Sequence, residues 1–195
     1  VYLKGDSFLN NCTITSGSVA VYVSQATNPV FMDNTIILNE NHTGLECWDA
    51  DNLVVMNNLI VGNGVHGILV QNDSGINVFN NVISNNVQNG ITCQSTGDVS
   101  ITFNTIYTNG SDGVQCVNGT PYIGNNIIAV NGHYGINCTA DANPWLEYND
   151  VWGNVIADYN GCVPGTGDIS VDPLFVMGPL GDFYLSQTNA GQLSD

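Results

Sequence analysis

The chain has 195 residues, with 17 acidic residues against a single basic one, Lys4, and a formal charge of −16 at pH 7. Nucleic acids and anionic membrane surfaces are excluded as partners, because both are bound through Lys and Arg. No apolar run approaches the ~18 residues that a membrane-spanning helix needs, so we expect no membrane span.

The chain starts directly in repeat-like sequence. Its first residue is Val1 rather than Met, which indicates a fragment or a mature form that lacks upstream sequence. From there a period of 22–24 residues is marked by asparagines, at Asn11, Asn34, Asn58, Asn81, Asn104, Asn126 and Asn149. A second asparagine follows five residues later in each period from Asn34 onward, at Asn39, Asn63, Asn86, Asn109, Asn131 and Asn154. A repeat of this length indicates a stacked solenoid.

Each period contains three short, β-branched stretches separated by Asn, Gly, Ser and Asp, as in 99–103, 105–107 and 113–117. Such stretches are typical of strands and turns rather than helices. Three strands per turn, stacked in register ~4.8 Å apart, predict an all-β, single-stranded parallel β-helix of about seven coils. We expect residues 1–160 to form the repeats and residues 161–195 to form a cap or terminal coil, because an uncovered end would expose unpaired strand edges.

Two polar columns have predicted structural roles. The asparagines at the first repeat position tolerate the left-handed backbone of a sharp bend, and their amides can bond from coil to coil. The predicted ladder consists of Asn34, Asn58, Asn81, Asn104, Asn126 and Asn149. A glycine column, at Gly44, Gly67, Gly90, Gly113 and Gly135, predicts a second turn with unusual backbone angles.

Six cysteines are present. Cys93, Cys116 and Cys138 share one inward column, Cys47 lies two coils before Cys93, and Cys162 extends the column if the period continues. Parallel Cβ vectors fit a disulfide poorly, so free thiols in a core ladder are favoured over disulfides. Cys12 lies outside the column. Zinc is not expected, because the chain has no Cys-x-x-Cys pair.

The run Asn80-Asn81-Val82-Ile83, followed by Asn86 and Gly90-Ile91, resembles the right-handed parallel β-helix of the pectin-lyase-like superfamily over about residues 8–160. The end of the chain, 172–175 followed by 181–185, is similar to the closing segment of many secreted bacterial β-helix proteins. The resemblance implies right-handed coiling and an extracellular or cell-surface location. It leaves open the choice among polysaccharide lyases, hydrolases, epimerases and non-catalytic surface proteins.

Catalysis is disfavoured by the residues themselves. In the lyases of the superfamily that this chain resembles, the base is an Arg or a Lys with calcium beside it. This chain has no Arg, and its one Lys is Lys4. Hydrolases of the superfamily show Asn-Thr-Asp, where this chain has Asn34-Thr35-Ile36 and Asn104-Thr105-Ile106. The sequence Gly64-Val65-His66-Gly67 is not accompanied by an adjacent Asp pair, and His66 and His42 are expected to be surface histidines.

The acidic turn formed by Asp49, Asp51 and Asp73 is the weak catalytic candidate, because a glycosidase needs two carboxylates roughly 5 to 10 Å apart. The same three side chains offer oxygen ligands for calcium, the one cofactor to which the composition points. The third interpretation is a solvated acidic turn with neither role.

Tyr122 and Trp145 occupy one outward column on consecutive coils. Their ring faces suit stacking against sugars, and the alternative is packing under loops or a partner domain. We interpret the chain as a non-catalytic extracellular structural or adhesive domain that presents a lateral face to glycans or to other copies of itself, as in a filament or surface array. The alternative is a polysaccharide-processing glycoside hydrolase that uses the acidic turn.

Overall fold

The computed structural model describes residues 1–15, 20–37, 41–72, 74–179 and 181–186. These residues form 24 strands and no helix, which confirms the all-β prediction. Within these ranges no helix has the length and apolar character needed to cross a membrane.

The first 21 strands group into seven coils of three strands each. Coil 1 has β1 (Tyr2–Leu3), β2 (Phe8–Asn10) and β3 (Thr13–Thr15); coil 2 has β4 (Val21–Ser24), β5 (Val30–Met32) and β6 (Thr35–Ile37); coil 3 has β7 (Leu45–Trp48), β8 (Val54–Met56) and β9 (Leu59–Val61); coil 4 has β10 (Ile68–Gln71), β11 (Ile76–Phe79) and β12 (Val82–Ser84); coil 5 has β13 (Ile91–Gln94), β14 (Val99–Thr102) and β15 (Thr105–Tyr107); coil 6 has β16 (Val114–Gly119), β17 (Tyr122–Gly124) and β18 (Ile127–Ala129); coil 7 has β19 (Tyr134–Ala142), β20 (Trp145–Glu147) and β21 (Asp150–Trp152). Then follow β22 (Ala157–Asn160), β23 (Phe175–Gly178) and β24 (Gly181–Leu185).

Equivalent strands of successive coils pair in parallel and build three sheets. The first strands of the coils, with β22, form an eight-stranded sheet A, the second strands a seven-stranded sheet B, and the third strands a seven-stranded sheet C. The pairing is in register, as in Ile83 opposite Ile60 and Ile106. This topology confirms the predicted parallel β-helix of about seven coils.

Alternation along each strand sends one set of side chains inward. Sheet C contributes a column of fully buried aliphatic side chains: Ile60, Ile83, Ile106, Ile128 and Val151. Sheet B contributes a second column of fully buried apolar side chains: Phe31, Val55, Val78, Ile101 and Ile123. In sheet A, Cys93 lies opposite Cys116, which lies opposite Cys138, and all three are buried. The six cysteines are free thiols in this structure. The core is therefore a stack of like residues along the coil axis.

Two chains of asparagine side chains run along the axis beside this core. In the first, the side-chain oxygen of each residue accepts bonds from the backbone N–H and the side-chain amide of the residue one coil earlier. Asn58 donates in this way to Asn81 at 2.9 Å for both bonds, and the pattern continues through Asn104, Asn126 and Asn149. The second chain has the same pattern and contains Asn63, Asn86, Asn109, Asn131 and Asn154. The Asn39 position lies outside the described residues.

The prediction that the ladder asparagines themselves adopt the left-handed backbone was wrong. The residue before each one does so, with φ between 53° and 57° at Asp33, Asn57, Asn80, Phe103, Asn125 and Tyr148. The bend is completed one residue early, because the ladder residue must aim its own N–H and amide along the coil axis. Left-handed Phe and Tyr cost ~1–2 kcal/mol each, and the ladder bonds hold them in place.

The first member of the repeat was also misplaced by one residue. Asn11 is the left-handed residue, with φ 51°, and Cys12 occupies the ladder position. The Cys12 backbone N–H donates to Asn34 Oδ1 at 2.8 Å. Thr13 lies opposite Thr35, an offset of 22 residues. With this offset the residue equivalent to Asn34 is Cys12, and Asn11, which is 23 residues before Asn34, belongs to the column before it. Cys12, which lies outside the cysteine column, is thus the start of the asparagine ladder.

The glycine column has a different cause from the predicted one. None of these glycines has a positive φ. A Cβ at Gly67 would lie 2.6 Å from the Gly90 carbonyl oxygen, 2.6 Å from Ile83 Cγ2 and 2.8 Å from Asn86 Nδ2. The column is glycine because the second asparagine ladder and the sheet C core leave no room for a side chain there.

The C-terminal segment, residues 161–179 and 181–186, first lies against coil 7 and then passes over sheet C, where Asp182 and Phe183 share a cleft with Val61 and Ser84. Thr166 bridges to Glu147 and Ile169 to Asp150, and β23 pairs antiparallel with β24. The Phe175 ring packs edge-on against Tyr107, with centroids 4.9 Å apart.

Both asparagine ladders end on an aspartate close to or within this C-terminal segment. Asn149 donates from its backbone N–H and its amide to Asp168 Oδ1, at 2.7 and 3.1 Å. Asn154 donates in the same way to Asp158 Oδ1, at 3.3 and 2.9 Å. A carboxylate suits the last place because only acceptors are needed there.

Candidate functional site

Among the described residues, the carboxylates of the acidic turn are not held in a defined arrangement. Asp49 and Asp51 are both exposed, Asp49 has a left-handed φ of 55°, and Asp51 bridges to Ser74 through the backbone. Asp73 lies outside the described residues. Over the ranges that the structure covers, no three His, Cys, Asp or Glu side chains are grouped to hold a metal ion. The catalytic and calcium hypotheses for Asp49, Asp51 and Asp73 remain predictions.

Sheet A carries a polar network that the sequence did not reveal. Asp112 is buried, at 3% exposure, and its carboxylate accepts bonds from the Asn137 amide at 2.7 Å and the Tyr134 N–H at 3.2 Å. Asn89 donates to Thr92 and Gln115. The donors and acceptors of this network satisfy one another, so we interpret it as structural.

His66 joins that network and differs from the expected surface histidine. It is half-buried, and its Nδ1 lies 3.2 Å from Thr92 Oγ1. Burial lowers the pKa of His66, because desolvation disfavours the imidazolium. His42 is exposed, as expected.

A pH prediction follows for His66. With its folded pKa below the unfolded value, the unfolded chain binds the proton first as pH falls through about 6.5, so His66 lowers stability on acidification. Between pH 7.5 and 5.5, we expect the melting temperature of His66→Gln to fall less than that of the wild type. His42→Gln, at an exposed histidine, should follow the wild type. Equal pH profiles for all three proteins would contradict the prediction.

Tyr122 and Trp145 lie on the outer face of sheet B. They are register partners on β17 and β20, and Trp145 is 66% exposed. The ring centroids are 6.4 Å apart and the planes stand at 85°. Two coplanar stacking faces, one per coil, are therefore not formed. One ring meets the other edge-on, and the pair forms an angled aromatic corner.

A glycine positions Tyr122 in this corner. A Cβ on Gly124 would lie 2.5 Å from the Tyr122 hydroxyl oxygen and 2.7 Å from Cζ. The phenol ring therefore lies flat along the strand over Gly124, where the register partners carry Thr102 and Glu147. A side chain at this position would push the ring away from the sheet.

Glu147 joins the two rings. Trp145 Nε1 donates to Glu147 Oε1 at 2.8 Å, and the Tyr122 hydroxyl donates to Oε2 at 3.4 Å. Burial and the neighbouring Glu147 carboxylate raise the pKa of Tyr122, so the phenol stays protonated and keeps donating. Glu147 was missed in the sequence because a lone Glu on a strand carries no spacing signal.

Two clefts lie on either side of this corner and share Thr120. The larger, of about 600 Å³, lies toward the C-terminal segment and is lined by Thr120, Asn143, Pro144, Trp145, Leu146, Val163, Pro164, Gly165 and Thr166. The smaller, of about 410 Å³, lies toward coil 4 and is lined by Gly75, Ile76, Asn77, Asp98, Val99, Ser100, Thr120 and Tyr122. Tyr122, Trp145 and Glu147 with these two clefts are named the aromatic face. An exposed indole for stacking, flanked by hydroxyl, amide and carboxylate groups, suits a sugar ring and its hydroxyls.

Comparisons with known proteins agree on the fold. A family model described as a right-handed beta helix region matches residues 1–106 and 83–172. The structure of the periplasmic alginate epimerase AlgG superposes with a TM-score of 0.73 at 15% identity, covering 87% of this chain and 46% of that one. The A-module of Azotobacter vinelandii mannuronan C-5 epimerase AlgE6 superposes with a TM-score of 0.59 at 18% identity, covering 87% and 59%.

At these identities the two structures share the fold with this chain, which spans about half of the first and less than two thirds of the second. No curated protein sequence matches the chain. The family model covers most of the chain and confirms the resemblance stated from the sequence: the protein belongs to the right-handed parallel β-helix family.

Proposed function

We propose that this protein is a non-catalytic, extracellular or cell-surface glycan-binding domain, and that the aromatic face is its binding site. The observation that carries the proposal is Trp145, an indole left 66% exposed while its N–H is held by Glu147 at 2.8 Å. Exposed indoles fixed in one orientation bind with little loss of side-chain entropy. The solved structures with this fold include enzymes named for alginate and mannuronan, which supports a polysaccharide as the class of ligand.

Charge selects among polysaccharides. Glu147 lies at the centre of the face, Asp98 lines the smaller cleft, and the chain carries −16 overall with Lys4 as its only basic residue. An anionic polysaccharide would be repelled by this field. A neutral chain rich in hydroxyls would instead find acceptors in Glu147 and Asp98, so we assign the ligand to the neutral polysaccharides.

The path of the ligand follows from the position of the clefts. One lies toward coil 4 and the other toward the C-terminal segment, with the Tyr122–Trp145 corner between them. A saccharide that fills both would run along the coil axis, with one ring stacked on Trp145 and its neighbours in the clefts.

The test is calorimetric titration with neutral β-glucan, xylan and mannan oligosaccharides, and with oligogalacturonate as the anionic comparison. We expect a neutral oligosaccharide to bind, and Trp145→Ala to weaken binding at least tenfold, about 1.4 kcal/mol, because the stacking surface is lost. Trp48→Ala is the matched control, since Trp48 is also exposed, at 43%, but lies on sheet A. It should bind as the wild type does.

Three results would contradict the proposal. Binding that survives Trp145→Ala would place the site elsewhere. Release of reducing sugar from any neutral glycan would show that the protein is a hydrolase rather than a binding domain. The next variants to test would then be Asp49→Asn, Asp51→Asn and Asp73→Asn. Concentration-dependent elongated assembly in light scattering, with no glycan bound, would favour self-association as the role of the protein.

A further inference from the structure

Cys138 and Cys162 meet where the C-terminal segment leaves the last strand of sheet A. Their Sγ atoms are 2.7 Å apart. Cys138 is buried at 4% exposure, while Cys162 is half-buried. A movement of about 0.7 Å would bring the sulfurs to the ~2.05 Å of a disulfide bond.

The local backbone explains why this pair differs from the other stacked cysteines. Cys93, Cys116 and Cys138 are direct register partners, so their Cβ vectors are parallel. The pairing of Asn137 with Asn160 places Cys138 opposite Gly161, and Cys162 lies one residue beyond the register.

Gly161 turns the chain with a left-handed φ of 71° and leaves no room for a Cβ against the Cys138 carbonyl. This turn carries Cys162 across Cys138, so its side chain approaches from the next position rather than from directly above. The geometric objection to disulfides between stacked, in-register cysteines does not apply to this pair.

We propose that Cys138 and Cys162 form a disulfide that ties the C-terminal segment to coil 7, with a small-molecule disulfide such as oxidised glutathione as the oxidant. The more exposed Cys162 loses its proton and attacks the glutathione disulfide, releasing one glutathione thiolate and leaving a mixed disulfide. Cys138 then loses its proton and attacks the Cys162 sulfur, releasing the second glutathione thiolate. Two protein thiols are oxidised, one glutathione disulfide is reduced, and the two protons pass to the two glutathione molecules released.

Thiol ionisation sets the conditions for this reaction. A hydrogen bond with Cys116 and burial raise the pKa of Cys138 to about 12, although the hydrogen bond with Cys162 acts in the opposite direction. A hydrogen bond with Cys138, and burial, raise the pKa of Cys162. Attack requires the thiolate, so closure accelerates as pH rises.

The experiment incubates the full chain with oxidised glutathione at pH 8.5 and counts thiols after denaturation. We expect four thiols instead of the six of the reduced chain, with the two lost thiols mapped by mass spectrometry to one linked pair of peptides containing Cys138 and Cys162. The link closes a loop of about 24 residues and restrains the unfolded chain. The melting temperature of the oxidised protein should therefore exceed that of the reduced protein by about 5 °C.

Two serine variants make the result specific. Cys162→Ser should keep its five thiols after the same incubation and show no rise in melting temperature. Cys12→Ser, which removes a half-buried cysteine at the other end of the solenoid, should lose two of its five thiols and gain in melting temperature as the wild type does. Peptide mapping on the wild type does not depend on how well either variant folds.

Six thiols remaining in the wild type, or a link mapped to another pair such as Cys116 and Cys138, would overturn the proposal. A mapped link between Cys138 and Cys162 without any gain in melting temperature would overturn the expectation that the bond stabilises the folded chain.

Discussion

Asn81→Leu should lower the free energy of unfolding by about 4 kcal/mol. Asn81 is 1% exposed, and its amide donates to the Val55 and Phe79 carbonyls and to Asn104 Oδ1. Its oxygen accepts both ladder bonds from Asn58. Leucine has a similar volume and removes all five bonds. It also leaves the buried Asn58 N–H without an acceptor, which by itself costs ~1–3 kcal/mol.

The measurement is urea unfolding followed by circular dichroism, with the m-value checked for two-state behaviour. Asn77→Ala is the control on the neighbouring strand β11, where the side chain is exposed and makes one bond, to the Gly75 carbonyl. We expect it to change stability by less than about 0.5 kcal/mol. A loss below about 1 kcal/mol for Asn81→Leu would show that the ladder is not a main source of stability.

Asp168→Asn should lower the free energy of unfolding by about 3 kcal/mol, although the two side chains have nearly the same shape. Oδ1 of Asp168 accepts both bonds from Asn149. Oδ2 accepts bonds from the Tyr159 hydroxyl at 3.0 Å and the Gly165 N–H at 2.8 Å. All four partners donate. The NH₂ group of an amide must therefore face either the two donors of Asn149 or the pair formed by the Gly165 N–H and the Tyr159 hydroxyl, and of these four groups only the hydroxyl can turn to accept.

The control for this variant is Asp172→Asn, at an exposed carboxylate that accepts one bond, from the Leu174 N–H. It should change stability by less than about 0.5 kcal/mol. The comparison also tests the proposal that residues 161–195 cap the solenoid. If Asp168→Asn and Asp172→Asn are equally mild, the C-terminal segment does not terminate the first ladder energetically.

The two variants address opposite requirements of one hydrogen-bonded chain. Inside the ladder each side chain must accept from the coil before it and donate to the coil after it, which Asn does and Asp cannot. At the last place the donors of Asn149 and Asn154 need acceptors only, which Asp168 and Asp158 supply. A ladder of this kind has a direction, from Cys12 toward the C-terminal segment.

The aromatic face has a comparable division of roles. Gly124 leaves the room, Glu147 holds both rings, and Trp145 provides the exposed surface. Substitution of Gly124 or Glu147 would change how the two rings are held but would leave Tyr122 and Trp145 in the chain. The Trp145 titrations described above should therefore precede variants at Gly124 or Glu147.

The sequence by itself determined the period, the three strands per coil and the inward columns, because a solenoid repeats the same local environment every coil. It also placed Tyr122 and Trp145 on one outward column. It could not show that the left-handed bend falls on Asp33 and Asn57 rather than on the asparagines after them, since Asn and Asp tolerate that conformation equally well. Nor could it show that Cys12 begins the ladder.

Only the tertiary structure decided what lies between columns. The 85° angle of the two rings, the carboxylate of Glu147 between them, the aspartates that end both ladders, and the approach of Cys162 to Cys138 all depend on side chains from different coils or from outside the repeat. Asp168 lies 19 residues after Asn149, off the period, so no column pointed to it. Periodicity determines what is repeated along the axis, and the contacts that break the repeat are set by packing in three dimensions.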